Sequence, residues 1–418
     1  MNANARQTAD RPAPFDARRV REDFPLLSED PEGRGTCFLD SAASAQRPRS
    51  VIAAVDYYER HLHANVHRGV YRLSQLASEA FEGARERVRS FLNAGSSAEI
   101  VFVRGTTEAI NLVANSYARP RLQPDDEVLL TRLEHHANIV PWQLACAATG
   151  ARLVVAPFDA SGAVDADSVI GLMTARTRLV AIAHVSNALG TILPVAAIVQ
   201  AARARNIATL IDGAQAVPHC RVDVRALDCD FYAFSGHKIY GPTGIGVLYG
   251  RRALLEEMPP WQGGGDMIRT VRFEESTWND LPWKFEAGTP NISGAVGLAA
   301  AIDYLDSLDI EAVHRHEMQL HEAACAALAS IPGLRLIGTA ANKSAVLSFV
   351  VEGVHPHDLG TIVDSQGVAI RTGHHCAMPV MEYFDLPATA RASFACYNTD
   401  EDVQRLVAAV EFARRMFS

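Results

Sequence analysis

Lys238 lies in the run Ser235-Gly236-His237-Lys238, directly after an apolar stretch, Phe231-Tyr232-Ala233-Phe234. A second apolar stretch, Ala208-Thr209-Leu210-Ile211, ends in Asp212-Gly213-Ala214-Gln215. A lysine at the end of one strand and an acid at the end of another suit pyridoxal phosphate (PLP). The amine can condense with the aldehyde, and the carboxylate can keep the pyridine nitrogen protonated so that the ring accepts electrons. Neither residue carries this reading alone, because a single Asp or Lys at a strand end is ordinarily a solvated terminus.

PLP also needs an anion cradle. Gly105-Thr106-Thr107-Glu108 follows the candidate strand Ile100–Val103 and opens a helix, where hydroxyls and free N–H groups can hold a phosphate. By itself the tetrapeptide reads as an N-cap. Beside Lys238 it reads as the cradle, with Ser235 and His237 as further donors. Glu134-His135-His136-Ala137-Asn138 supplies His135, whose ring can stack on the pyridine and assist proton transfer. A structural histidine is the second reading. A metal site is the third, since no further ligands stand at usable spacing. Asn187 and Gln215 each follow a strand, as partners for the cofactor's phenolic oxygen or as turn residues.

The other chemical segment is Arg371-Thr372-Gly373-His374-His375-Cys376-Ala377-Met378-Pro379. Most cysteines are unreactive, but this one falls on an expected loop beside cationic groups, and cations favour the reactive thiolate. Arg371, His374 and His375 are expected to supply that field. Arg391 can grip an amino-acid carboxylate with two parallel hydrogen bonds, although a surface ion pair is the default for any one arginine.

Strands that end on one side must position these groups. The candidates are Ile100–Val103, Glu127–Thr131, Arg152–Ala156, Leu179–His184, Ala208–Ile211, Phe231–Phe234 and Ile245–Tyr249, with helices such as Glu108–Tyr117, Asn138–Thr149 and Ala196–Arg205 between them. Nearly continuous apolar strands alternating with helices predict an α/β fold with a mostly parallel seven-stranded sheet covered on both faces. Ligands of such sheets bind beyond the carboxyl ends of the strands. After Gly263-Gly264-Gly265 the pattern changes. One long helix over Ser293–Leu328, strands Val346–Val351, Val368–Arg371 and Ala392–Cys396, and helices His357–Gln366 and Glu401–Met416 predict a smaller α+β domain. The expected division is 1–24 as tail and packing segment, 25–292 as the large domain and 293–418 as the small one. Phe15–Leu27 is expected to join the small domain.

Composition narrows the class. The 418 residues carry a net charge of −9, which disfavours nucleic acid or an anionic membrane as partner. No apolar run reaches the roughly 18–20 residues of a membrane span. Met1–Arg19 has no apolar core of a secretory signal and reads as a frayed tail. The seven cysteines are scattered without a C-x-x-C pair, which predicts reduced cytoplasmic thiols and no zinc ribbon. No metal is expected.

Together the Asp212, Lys238 and Cys376 runs resemble the Suf-type (group II) cysteine desulfurases, which are class V aminotransferase-like PLP enzymes of fold type I. The likeness extends from Phe38-Leu39-Asp40-Ser41-Ala42-Ala43-Ser44 to Arg391-Ala392-Ser393, and takes in His67-Arg68-Gly69 and Phe285-Glu286-Ala287-Gly288-Thr289-Pro290-Asn291. It implies a homodimer in which Thr289 reaches the phosphate of the neighbouring subunit's cofactor. It implies PLP contacts from Thr107, His135, Asp212, Gln215, Ser235 and His237, and substrate contacts from Arg391, to which Arg371, Asn187 and His67 are added as candidates. Tyr71 stands where relatives often place His. The implied reaction turns L-cysteine into L-alanine, with Lys238 removing the Cα proton and Cys376 taking the sulfur as a persulfide. A small Suf-type protein then accepts the sulfur for iron–sulfur cluster assembly. The rival readings are selenocysteine lyase, an aminotransferase or β-eliminating enzyme on the same fold, and a non-catalytic sulfur-relay scaffold.

Overall fold

The computed structural model describes residues 15–29 and 35–417. Most of the stretch read as a tail, residues 1–14, lies outside the described residues. The larger sheet consists of β1 (Ile100–Val103), β2 (Glu127–Thr131), β3 (Arg152–Ala156), β4 (Thr177–Ala183), β5 (Ala208–Asp212), β6 (Phe231–Ser235) and β7 (Gly246–Gly250). Their spatial order is β1-β7-β6-β5-β4-β2-β3. Only β7 opposes its neighbours, so the other six strands end on the same side. Alternate residues of β1 enter different cores, with Ile100 and Phe102 on one face and Val101 and Val103 on the other. Burial on both faces is why these strands read as unbroken apolar runs. The edge strand β3 is partly exposed and begins with Arg152, as an edge requires.

The second sheet has four antiparallel strands, β8 (Leu334–Ile337), β9 (Val346–Val351), β10 (Arg371–Gly373) and β11 (Thr389–Ser393), in the order β8-β9-β11-β10. Cys37 and Leu39 enter the core of this sheet from the front of the chain, and Cys37–Phe38 pairs in parallel with Val368–Ala369. The N-terminal segment packs against residues from both the front and the back half of the chain. Arg21 bonds Asp402 and the carbonyls of Thr36 and Tyr397, while the Phe24 ring packs edge-on against Tyr240, Tyr304 and Tyr397. The last residues of the presumed tail are helical, because Asp16 caps a helix Ala17–Arg21 by accepting the Arg19 N–H.

Several expected elements are corrected. The single helix over Ser293–Leu328 is two, α1 (Ile292–Ser307) and α2 (Ile310–Ala329). Leu308 is extended, and the Asp309 carboxylate accepts the Glu311 and Ala312 N–H groups to start a new helix. The strand expected over Val368–Arg371 is divided between two partners, Cys37–Phe38 and β11. The strand expected at Ala392–Cys396 lies at Thr389–Ser393, and β8 was not anticipated. Among the described residues, no helix is long and apolar enough to cross a membrane.

Candidate active site

The carboxyl ends of the aligned strands deliver most of the predicted groups to one place. The turn after β1 brings Thr106 and Thr107, β2 leads to His135, and β4 leads to Asn187. Strand β5 ends at Asp212 with Gln215 beyond it, and β6 brings Ser235, His237 and Lys238. From the second sheet come Arg371 on β10, Arg391 on β11 and Cys376 on the loop after β10. All of them line a single cavity of about 210 Å³. His67 and Thr289 do not. His67 Nε2 pairs with Glu82 at 2.9 Å and lines a separate cavity with Trp283 and Glu286, and Thr289 lines another with Arg104 and Glu108.

Asp212 and Lys238 line the same cavity, and each acts on the other's charge. The Asp212 carboxylate accepts the Ala214 N–H at 3.0 Å, and burial pushes its pKa up against the pull of Lys238. Burial pushes the Lys238 amine down to about 8, with Asp212 opposing. The glycine after Asp212 is sterically required, since a Cβ on Gly213 would lie 2.0 Å from the Tyr232 ring.

The cradle is built at the start of the helix Thr106–Val113. Gly105 provides no side-chain cap, which leaves first-turn N–H groups open to an anion. Ser235 Oγ accepts the Thr106 N–H at 2.9 Å and pairs with Thr106 Oγ1 at 2.8 Å. A Cβ on Gly246 would stand 2.5 Å from Gly105 Cα, so glycine lets β7 approach this turn. Burial, with Lys238 nearby, pushes His237 down to about 4. It therefore offers an anion a hydrogen bond and no charge at neutral pH.

His135 is neutral for the same reason, pushed down to about 4 by burial and by Lys238. Its Nδ1 accepts the Ala137 N–H at 3.0 Å, which assigns the proton to Nε2. Beneath it, a buried network that sequence reasoning missed fixes the turn. Glu134 accepts from Thr131 Oγ1 and from Asn138 Nδ2, both at 2.6 Å, and Asn138 Oδ1 accepts the Trp142 indole N–H at 2.9 Å. Gln215 Nε2 donates to the Ala42 carbonyl and Asn187 Nδ2 to the His375 carbonyl, each at 2.6 Å. Each amide nitrogen keeps a second N–H for a ligand.

These groups fit PLP. The buried Asp212 carboxylate calls for a cationic partner such as a protonated ring nitrogen, and the uncapped helix start calls for an anion. The Lys238 amine stands in the same cavity. Among the described residues no cluster of His, Cys, Asp or Glu is placed to hold a metal ion.

The thiol side is organised around Asp40, to which sequence reasoning gave no role. Asp40 takes Arg391 Nη2 at 3.1 Å and Arg371 Nε at 3.2 Å, so two guanidiniums share one carboxylate and leave positive charge for an anionic substrate. Arg391 Nη1 also donates to the Asn187 carbonyl at 2.8 Å. Its Nε is buried with no partner among the described residues. Cys376 is exposed, as expected of a loop thiol. His375, expected to add cationic field, does not: burial, Arg391 and Arg371 push it down to about 3. Arg371 and Arg391 are the permanent cations lining the cavity.

The chain matches the class V aminotransferase family over residues 37–406. It is 50% identical to a cysteine desulfurase of Serratia proteamaculans across 96% of this chain and 99% of that one. The chain belongs to the class V aminotransferase family, among its PLP-dependent cysteine desulfurases. Its structure is similar to that of the cysteine desulfurase CsdA from Escherichia coli, solved in an S-sulfonic acid form, with a TM-score of 0.90 at 42% identity over 97% of this chain and 100% of that one. The fold is also that of C-DES, solved as a mutant with glycine covalently linked to its PLP cofactor (TM-score 0.80, 23% identity, 94% and 98% coverage). The enzyme is thus a PLP-dependent cysteine desulfurase acting on L-cysteine.

Proposed function

We propose that this cysteine desulfurase converts L-cysteine to L-alanine and keeps the sulfur as a persulfide on Cys376. The observation that carries the reading is the shared cavity, lined at once by Lys238, Arg391 and Cys376. When bound, PLP supplies an electron sink for the bonds at the substrate's Cα. Thr106, Thr107, Ser235 and His237 hold its phosphate, Asp212 its ring nitrogen, and the spare N–H groups of Asn187 and Gln215 its phenolic oxygen. His135 presents a neutral ring to the pyridine. Arg391 and Arg371 grip the substrate carboxylate. The Lys238 amine, with its value near 8, takes the Cα proton in its neutral form. The Cys376 thiolate attacks the substrate sulfur, so an S–S bond forms as the Cβ–S bond breaks. The electron pair of that bond stays on Cβ, which takes up a proton while Lys238 returns one to Cα, and the sequence needs no outside oxidant or reductant.

The finer reading is a homodimer of the cytoplasm that hands its persulfide to a small Suf-type acceptor for iron–sulfur cluster assembly, with L-selenocysteine as a second substrate. Unpaired cysteines support a reducing compartment. The nearly full exposure of Val70 and Phe273 supports a surface covered by a second copy. Incubation with L-cysteine, following alanine release and the mass of the Cys376 peptide, tests the reaction. The Cys376→Ala enzyme should keep its cofactor absorbance and form no persulfide. Undiminished sulfur transfer by that variant overturns the role of Cys376.

A further inference from the structure

His375 and Cys376 both adopt left-handed backbone conformations, with φ of +52° and +55°. That region is disfavoured for residues with a side chain, so the surroundings must hold the loop in place. Two clamps from the larger sheet do so. Asn187 Nδ2 bonds the His375 carbonyl at 2.6 Å. The other clamp is His136, whose backbone N–H donates to the Cys376 carbonyl at 2.7 Å and whose ring Nε2 accepts the Met378 N–H at 3.0 Å. Burial, helped by His374, lowers the pKa of that ring, which favours its neutral, acceptor form. Asn187 thus holds the loop just before the nucleophile, and His136 holds it at Cys376 and just beyond.

We infer that the imidazole of His136 is a positioning group for the Cys376 loop, acting on the sulfur-transfer step and not on proton removal by Lys238. The inference rests on Cys376 being the sulfur acceptor. It is tested on the holoenzyme and its His136→Ala and His136→Gln variants. One readout is persulfide formation on Cys376 in a single turnover. The others are exchange of the Cα hydrogen of L-alanine with solvent deuterium, which reports Lys238 and Arg391, and amide-exchange protection at Met378, which requires no chemistry.

The alanine variant should form persulfide roughly five- to tenfold more slowly, as expected for one lost hydrogen bond. Its Cα exchange should stay within about twofold of the parent, while protection at Met378 falls. Glutamine, whose carbonyl can accept the same N–H, should restore both lost properties. An unchanged persulfide rate in the alanine variant overturns the inference, as does Cα exchange that falls in parallel with it. If the parent enzyme forms no persulfide on Cys376, the proposed reaction fails. Unchanged Met378 protection in the alanine variant likewise overturns it, because the imidazole then does not hold that N–H.

Discussion

At the scale of residues, the site is a set of buried groups whose charge is decided by their neighbours. Histidines 135, 237 and 375 are all pushed to about 4 or below by burial beside lysine or arginine, so Arg371, Arg391 and Lys238 carry the cationic character. Arg391 is held in a fixed orientation by Asp40 and the Asn187 carbonyl. Lysine has the charge but not the fork. Arg391→Lys should lose about 1.5–3 kcal/mol of substrate binding, which is roughly a ten- to hundredfold rise in KM for L-cysteine. Steady-state alanine release against cysteine concentration checks this, and an unchanged KM removes Arg391 from the substrate site. The types of these residues were legible in the sequence. The role of Asp40 was not, because its partners lie more than 300 positions away along the chain.

At the scale of elements, the strand ends did what their sequences announced. Apolar runs buried on both faces can be read directly, and the residue after each run falls at a carboxyl end. Boundaries were less legible where one side chain overrides local propensity, as Asp309 does in splitting the long helix into α1 and α2. The turn after β2 carries its own titration. Burial pushes Glu134 up to about 7 against the hydrogen bonds of Thr131 and Asn138. In the unfolded chain a glutamate titrates near ~4.3. Between these values the folded protein holds a proton that the unfolded chain has released, so this group's contribution to stability is full below the lower value. It is lost as pH rises towards 7. Glutamine is neutral like the protonated acid and keeps an oxygen to accept from Thr131 or Asn138. Glu134→Gln should therefore gain thermal stability relative to the parent between pH 5 and pH 8, by roughly a few °C. Melting curves across that range check it, and a constant difference between the two proteins contradicts it.

At the scale of the whole molecule, two sheets bring the halves of the site together: the larger one presents Lys238 and Asp212, and the smaller one presents Arg371, Arg391 and Cys376. His67 and Thr289 line other cavities, and the proposal that Thr289 serves the neighbouring subunit's site can be tested directly. Under the proposed homodimer, inactive Lys238→Ala chains mixed and re-associated with weakened Thr289→Ala chains should recover alanine release, because one site of each mixed dimer would have both residues intact. No recovery on mixing would place Thr289 in its own subunit's site or in neither. Sequence alone determined the sheet class and the strand-end placement of Lys238, Asp212, the Thr106–Thr107 helix start and the thiol loop, because each is encoded in a short run of residues. Only the tertiary structure decided the bridging Asp40, the neutrality of His375, the contacts of His136 with the Cys376 loop and the course of Cys37–Leu39 into the second sheet. These depend on contacts between segments far apart in the chain and on burial that arises only when the sheets pack.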